Sequence, residues 1–159
     1  MNGSYDKAKI GKILLLVFVI FAAAYLFLLF FANQRVVTVD VSGCDSNTEN
    51  MKYKVSKISS KYDYIEIQGY AYVPGTSLLT ANTVLLAHDP TTDVYYKLPT
   101  ENTKRTKLTK NADDGCNYDY AQFKSTVLTK KIPSGCRLCI WYRGNGSNKL
   151  IHTDNVIYY

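Results

Sequence analysis

Histidine is scarce in this 159-residue sequence: His88 and His152 are the only two. That leaves little material for a Ser/His/Asp triad, and no GxSxG elbow is present to place a nucleophilic serine. HExxH, Walker A and GxGxxG are also missing, which removes the motif-based cases for a metalloprotease, a P-loop NTPase and a dinucleotide-binding unit. Asp113-Asp114-Gly115 offers carboxylates of the kind that bind Ca²⁺, but the other EF-hand positions are absent and a surface turn is the better reading. No window after residue 33 has a sustained helical period, and no internal repeat or low-complexity tract occurs. A soluble enzyme of usual size is excluded. We expect no catalytic residue, cofactor or metal in this chain.

The residues that are present are unevenly spread. Five of the six phenylalanines lie between Phe18 and Phe31, whereas every tyrosine except Tyr5 and Tyr25 follows residue 50. Residues 13–32 read ILLLVFVIFAAAYLFLLFFA, without a charge, proline or glycine. At about 1.5 Å per residue such a helix spans roughly 30 Å, the thickness of a bilayer core. A cleaved signal peptide is the rival reading, because Ala22-Ala23-Ala24 resembles a small-residue cleavage site; the apolar run nevertheless continues past it. The alanines also make a small-residue patch that faces either lipid or a second helix. Lys7, Lys9 and Lys12 precede the run, and only Arg35 follows closely. The positive-inside rule therefore predicts a single-pass protein of the cell membrane, with residues 1–12 as a cytoplasmic tail and residues 33–159 outside. The lipid bilayer is its first expected partner.

Residues 33–50 read as a linker, with an edge strand at Val36–Val41. Residues 51–159 read as an extracytoplasmic β-domain. Strands are expected at Lys52–Ser59, Tyr64–Val73, Asn82–His88, Val94–Leu98, Arg105–Thr109, Asp119–Leu128, Arg137–Arg143, Leu150–His152 and Val156–Tyr158. Turn formers such as Pro74-Gly75, Asp89-Pro90 and Pro133-Ser134-Gly135 separate them. So many short strands fit an all-β antiparallel sandwich. Alternation puts Ile65, Ile67, Gly69, Ala71 and Val73 inside and Tyr64, Glu66, Gln68, Tyr70 and Tyr72 outside. Ala121, Phe123, Ser125 and Val127 face in, as do Leu138, Ile140 and Tyr142. Arg137, Cys139, Trp141 and Arg143 then face out. The strands at 119–128 and 137–143 are expected to form a hairpin.

The four cysteines, Cys44, Cys116, Cys136 and Cys139, all fall in the exported part, where disulfides persist. Cys136 and Cys139 have CxxC spacing, but on a strand they point to opposite faces, which suits neither a redox pair nor, with irregularly spaced partners, a zinc site. In the expected hairpin, Cys116 lies too far from Cys136 to bond. A Cys44–Cys116 disulfide is therefore preferred.

Two surfaces are candidates for binding. The first is basic: Lys97, Lys104, Arg105, Lys107 and Lys110, against Glu101. Outside a membrane nucleic acid is not an expected partner, whereas an anionic polymer, lipid headgroups or a phosphate-bearing glycan would suit it. A solvated face is the plainer reading. The second is aromatic: Trp141 between Arg137 and Arg143, and the row Tyr64, Tyr70 and Tyr72. These rings suit stacking on sugars or anchoring a protein partner, and tyrosine is also a good strand former.

Asp63-Tyr64-Ile65-Glu66-Ile67-Gln68-Gly69-Tyr70-Ala71 resembles the D-x-I-x-I-x-G-W/Y-A opening of small β-sandwich modules found beside or within bacterial glycosyltransferases and in surface-polysaccharide gene clusters. The order that follows is similar: Asn82–Leu86, Tyr95–Leu98, Arg105–Thr109, then Asn117-Tyr118-Asp119 leading to Phe123, Ile132 and Gly135. The likeness runs from Lys52 to Tyr159 and rests mainly on hydrophobic frame positions. It departs at Lys107, where an acid is usual, and at Gln122, where glycine is usual. The resemblance implies an Ig-like accessory module of cell-envelope glycan assembly, working with a membrane protein such as a glycosyltransferase or another polysaccharide-assembly protein. Beside that stands an exported sensor or ligand-binding module. A pilin-like subunit is disfavoured, because residues 13–32 contain no acid.

Overall fold

The computed structural model describes residues 7–33 and 35–159. The first six residues of the expected cytoplasmic tail lie outside the described residues. Contacts divide the chain at Arg35/Val36 into two compact units. The first is helix α1, Lys7–Asn33, which is long and apolar enough to cross a membrane. Its large side chains are exposed around the whole circumference. A helix that is apolar all round needs an apolar surrounding, whereas a helix on a protein core needs a single apolar stripe.

The second unit is mostly β, in two antiparallel sheets. Its strands are β1 Val37–Val39, β2 Lys52–Lys61, β3 Tyr64–Tyr72, β4 Thr83–Asp89, β5 Val94–Lys97, β6 Thr100–Thr103, β7 Gln122–Leu128, β8 Cys136–Tyr142 and β9 Lys149–Ile157. One sheet has the order β1-β5-β4-β8-β9 and the other β2-β3-β7-β6. Ile65, Ile67 and Ala71 of β3, Phe123 and Val127 of β7, Leu138 and Ile140 of β8 and Leu85 of β4 share one core between them. The alternation expected for β3, β7 and β8 places these residues inside, because period-two side chains leave each strand one apolar face to bury.

Several expectations are corrected. The strands at 119–128 and 137–143 form no hairpin: β7 pairs with β3 and β6, whereas β8 pairs with β4 and β9. Residues 129–135 instead carry the chain from one sheet to the other, with Ile132 buried in the crossing. Two strands with one apolar face each bury it as well across a sandwich as side by side, so their own sequences do not choose. Arg105–Thr109, expected as a strand, lies in helix α2, Thr106–Ala112, with Arg105 at its N-cap. Seven residues with a single buried one, Leu108, carry too little periodicity to announce a helix. Strand β6 has no apolar alternation at all and holds its place through Asn102, whose side chain accepts from Thr83 N at 2.9 Å and donates to Thr83 O at 2.9 Å. The two short C-terminal strands are one strand, β9, bulged opposite Leu138, where Thr153 Oγ1 donates to Leu138 O at 2.7 Å.

The stretch read as a linker belongs to the sandwich. β1 is the expected edge strand, paired with β5, and Asp45 bridges Lys149. Val39, Val41 and Cys44 pack over Val84, Leu86, Cys139 and Leu150 on the outer face of the five-stranded sheet. That cover explains why Val84-Leu85-Leu86-Ala87 is an unbroken apolar run: β4 is buried on both faces. Cys139, expected outward, is fully buried beneath it.

Candidate functional site

The outer face of the four-stranded sheet is the most chemically distinctive surface of the domain. Its edge strand β2 reads KYKVSKISSK. Lys52 lies opposite Tyr72 and Lys54 opposite Tyr70, on the outward side. Lys57 and Lys61 are at odd numbers, so strict alternation would turn them inward. The ladder shifts between Val55 and Lys57, leaving Ser56 unpaired, and its Oγ donates to Gln68 O at 3.1 Å. That one extra residue resets the alternation, so Lys57 lies opposite Gln68 and Lys61 opposite Tyr64. Val55 and Ile58 consequently both pack on the core. The result is a row of four lysines along one edge, with Lys124 of β7 opposite Gln68.

Glu66 is the acid in the middle of this face. Its Oε2 meets Lys57 Nζ at 2.8 Å, and Lys124 Nζ is 3.6 Å from Oε1. The hydrogen bonds from Lys57 and Gln68, with both lysine charges, pull its carboxyl down to about 2. Glu101 lies opposite Lys124 on β6. No salt bridge engages Lys52, Lys54 or Lys61 among the described residues.

The tyrosine row is only partly free. Tyr64 is exposed beside Lys61. Tyr70 is half-buried and stacks on Tyr72, centroids 5.9 Å apart. Tyr72, expected half-exposed, is buried because Tyr118 stacks on it at 4.2 Å and Leu108 of α2 joins the same cluster. Tyr118 Oη in turn donates to Asp114 Oδ2 at 2.6 Å and accepts from Gly75 N at 2.7 Å. Burial and the Asp114 carboxylate raise its phenol well above the usual range. The sequence gives no warning that α2 covers this end of the face.

Trp141 lies on the opposite side of the sandwich, since β8 belongs to the other sheet. Its Nε1 donates to Asn148 Oδ1 at 2.7 Å, and the Arg143 guanidinium sits 4.4 Å from its ring centre. Asn148 also donates to Gly43 O at 2.8 Å, fastening the covering segment. Trp141 is thus half-buried packing for residues 39–44, with its polar edge and one ring face already engaged. Arg137 is at the other end of β8, opposite His88.

Near Arg137 the two histidines meet a thiol. Cys139 Sγ is 3.4 Å from His152 Nδ1, His88 stacks on Tyr95 at 4.2 Å, and His88 Nε2 is 2.9 Å from Asp93 Oδ1. Burial pushes the Cys139 thiol up to about 12, and burial with His88 and Arg137 holds His152 below its usual 6.5. Both shifts favour a neutral S–H and a neutral imidazole, the reverse of an activated thiolate pair. Cys136, inside the main core, is pushed up to about 11 by burial and by Asp89. Among the described residues no group of three or more His, Cys, Asp and Glu side chains is placed to hold a metal ion.

The expected Cys44–Cys116 bond does not form, and all four cysteines are free. Cys44 packs with Val39 and Val41 over the outer face of the five-stranded sheet, whereas Cys116 packs beside Tyr118 and lines a cleft of about 380 Å³ with Thr109, Lys110 and Asp119. The preference for that pairing rested on a hairpin that is not there. The basic residues singled out from the sequence divide between β5 and the surroundings of α2. Lys97 is half-buried on β5, between β1 and β4. Lys104, Arg105, Lys107 and Lys110 are exposed around α2, where Lys104 Nζ approaches Asp119 Oδ2 at 3.8 Å and the Tyr120 ring at 6.0 Å. The lysine row of β2 was missed, although the alternation of Lys52 and Lys54 was a readable signal; its continuation through Lys57 and Lys61 depends on the bulge.

No protein-family model, no curated protein and no solved structure matches this chain. The functional reading therefore rests on the residues themselves.

Proposed function

We propose that this chain is a single-pass membrane protein whose exported, Ig-like sandwich is a non-catalytic interaction module serving cell-envelope polysaccharide assembly. The observation that carries the reading is the pairing of a helix long and apolar enough to cross a membrane with a β-domain that presents an open lysine–tyrosine face. Lys7, Lys9 and Lys12 ahead of the apolar run of residues 13–32, against Arg35 behind it, support an inside N-terminus. The Ig-like assignment is supported by strand order. β2-β3-β7-β6 and β5-β4-β8-β9 follow the A-B-E-D and C′-C-F-G orders of immunoglobulin-type sandwiches, with β1 added beside C′. The glycan-assembly role is supported by the likeness of Asp63–Ala71 to modules of that setting.

Its mechanism is positional. A domain tethered to the bilayer meets a membrane-bound enzyme, or the polymer leaving it, at an effective concentration far above that of a free protein. Binding needs no activated side chain, in keeping with the neutral Cys139–His152 pair. Protease treatment of intact cells carrying a C-terminal epitope tag is expected to remove the tag. Capture of the tagged full chain from solubilised membranes is expected to recover a polysaccharide-assembly enzyme or its polymer. A protected tag overturns the topology, and a capture containing neither component overturns the accessory role.

A further inference from the structure

The lysine row has a shape as well as a charge. From Lys52 to Lys61 it follows a single edge strand for roughly 30 Å at the usual rise of about 3.3 Å per residue. Among the described residues, three of its four lysines have no carboxylate partner in any salt bridge, and the central acid, Glu66, is already shared between Lys57 and Lys124. The aromatic residues run beside the row on β3. Tyr64 and Tyr70 are held opposite Lys61 and Lys54 by the ladder, and Tyr70 is further fixed by its stack on Tyr72.

The β2–β3 turn adds a separate observation. Tyr62 is 88% exposed, and its backbone is left-handed, with φ of 54°. That conformation costs a bulky residue energy that glycine or asparagine would not incur. A large ring is kept in a strained position at the tip of the hairpin, continuous with the lysine row, where packing does not require it. Strain of this kind is characteristic of residues held for contact with something else.

We infer that the outer face of the four-stranded sheet binds an extended anionic glycan, its carboxylate or phosphate groups lying along Lys52, Lys54, Lys57 and Lys61 and its sugar rings against Tyr62, Tyr64 and Tyr70. The inference deepens the proposed function and rests on its exported placement. Charges set in a line suit a linear polymer, whereas a bilayer surface is met by charges spread over a plane. Tyrosine faces beside the line add a component that sugars use and simple anions do not.

The test uses the purified full chain in neutral-detergent micelles, immobilised by a terminal tag. Polygalacturonate and long-chain inorganic polyphosphate are the anionic probes, and dextran of matched length is the neutral one. The chain is expected to bind polygalacturonate and to ignore dextran. Tyr62→Ala is expected to weaken polygalacturonate more than polyphosphate. The K52Q/K54Q/K57Q/K61Q variant is expected to lose at least about tenfold in affinity. Removing the same charge around α2, in K104Q/R105Q/K107Q/K110Q, is expected to change it less than about twofold. Raising salt from about 50 to about 200 mM is expected to weaken the wild type several-fold, a measurement that needs no variant. If the lysine-to-glutamine variant fails to fold by circular dichroism, the salt series and the dextran comparison decide. Binding to neither anionic probe, equal binding of dextran, or equal loss in the two charge variants overturns the inference. Displacement of polygalacturonate by micelles doped with phosphatidylglycerol marks a lipid-headgroup surface and overturns it too. Failure here with the domain found outside the membrane leaves the tethered-module reading intact; a domain found inside removes that reading without touching the in vitro binding.

Discussion

Gly69 shows how closely neighbouring strands of the four-stranded sheet crowd one residue. A Cβ there would lie 2.3 Å from Lys54 O and 2.5 Å from Phe123 Cζ. The first is backbone of β2 beside its bulge, and the second is a fully buried ring, so neither can move far. Gly69→Ala is expected to cost about 1–3 kcal/mol, read as a lower urea midpoint. Tyr62 is the opposite case, since its left-handed backbone is strained without supporting any packing. Tyr62→Gly is expected to stabilise the domain by about 0.5–1 kcal/mol, and a melt that falls instead would show that the ring holds the turn. The thiols differ sharply. Cys136 and Cys139 are buried, with thiols raised to about 11 and about 12, whereas Cys44 and Cys116 are half-buried. Ellman's reagent on the native protein is expected to titrate Cys44 and Cys116 first and the other pair only on unfolding. His152 sets a pH dependence. Its folded value is below 6.5, so its contribution to stability is complete above about pH 6.5 and lost as pH falls through that lower value. His88, Arg137, Tyr95 and Cys139 face it, and Asp93 reaches the same group through His88. Thermal midpoints are expected to fall between about pH 7 and about pH 5, and to fall less in His152→Gln. Asp45, Asp89 and Asp114, all held below their usual 3.8, act in a separate and more acid window.

Among the elements, β2 carries the most consequence for function. Deleting Ser56 removes the bulge. Strict alternation would then keep Lys52, Lys54, Lys57 and Lys61 on one face and Val55 and Ile58 on the other, because Ser56 is the residue the ladder skips. A cooperative thermal transition retained in ΔSer56, as in Ser56→Ala, is the expected result, and its loss would show that the bulge itself is required for the sheet. The strands with strong period-two patterns, β3, β7 and β8, were legible from sequence because every second residue of each faces the shared core. β6 and α2 were not. The first is polar throughout and is held by Asn102 and Thr100 side chains; the second buries only Leu108. β9 was legible in two pieces, since Thr153-Asp154-Asn155 looks like a turn until Thr153 is seen bonding Leu138 across the ladder. The candidate site divides in the same way. Tyr64 and Tyr70 were legible as outward residues, whereas the withdrawal of Tyr72 depends on Tyr118, 46 residues away in sequence.

For the whole molecule, two materials meet at Arg35/Val36: an apolar helix and a polar-surfaced sandwich. The helix needed nothing beyond its own sequence. Twenty consecutive residues without charge, proline or glycine satisfy their backbone internally and make an apolar rod whatever follows them. The β character of the rest was equally local, because alternation and turn residues act within a few positions of one another. Sheet membership was decided elsewhere. Whether β7 sits beside β8 or across from it depends on which faces are closed when all nine strands pack, as does the burial of Cys139 under residues 39–44. The same holds for the binding surfaces. Trp141 and the tyrosine row look like one aromatic set along the chain, and the sandwich puts them on opposite sides. Local sequence chooses each strand's inner face, but only tertiary packing decides what lies against its outer face, since the residues that cover it come from distant parts of the chain.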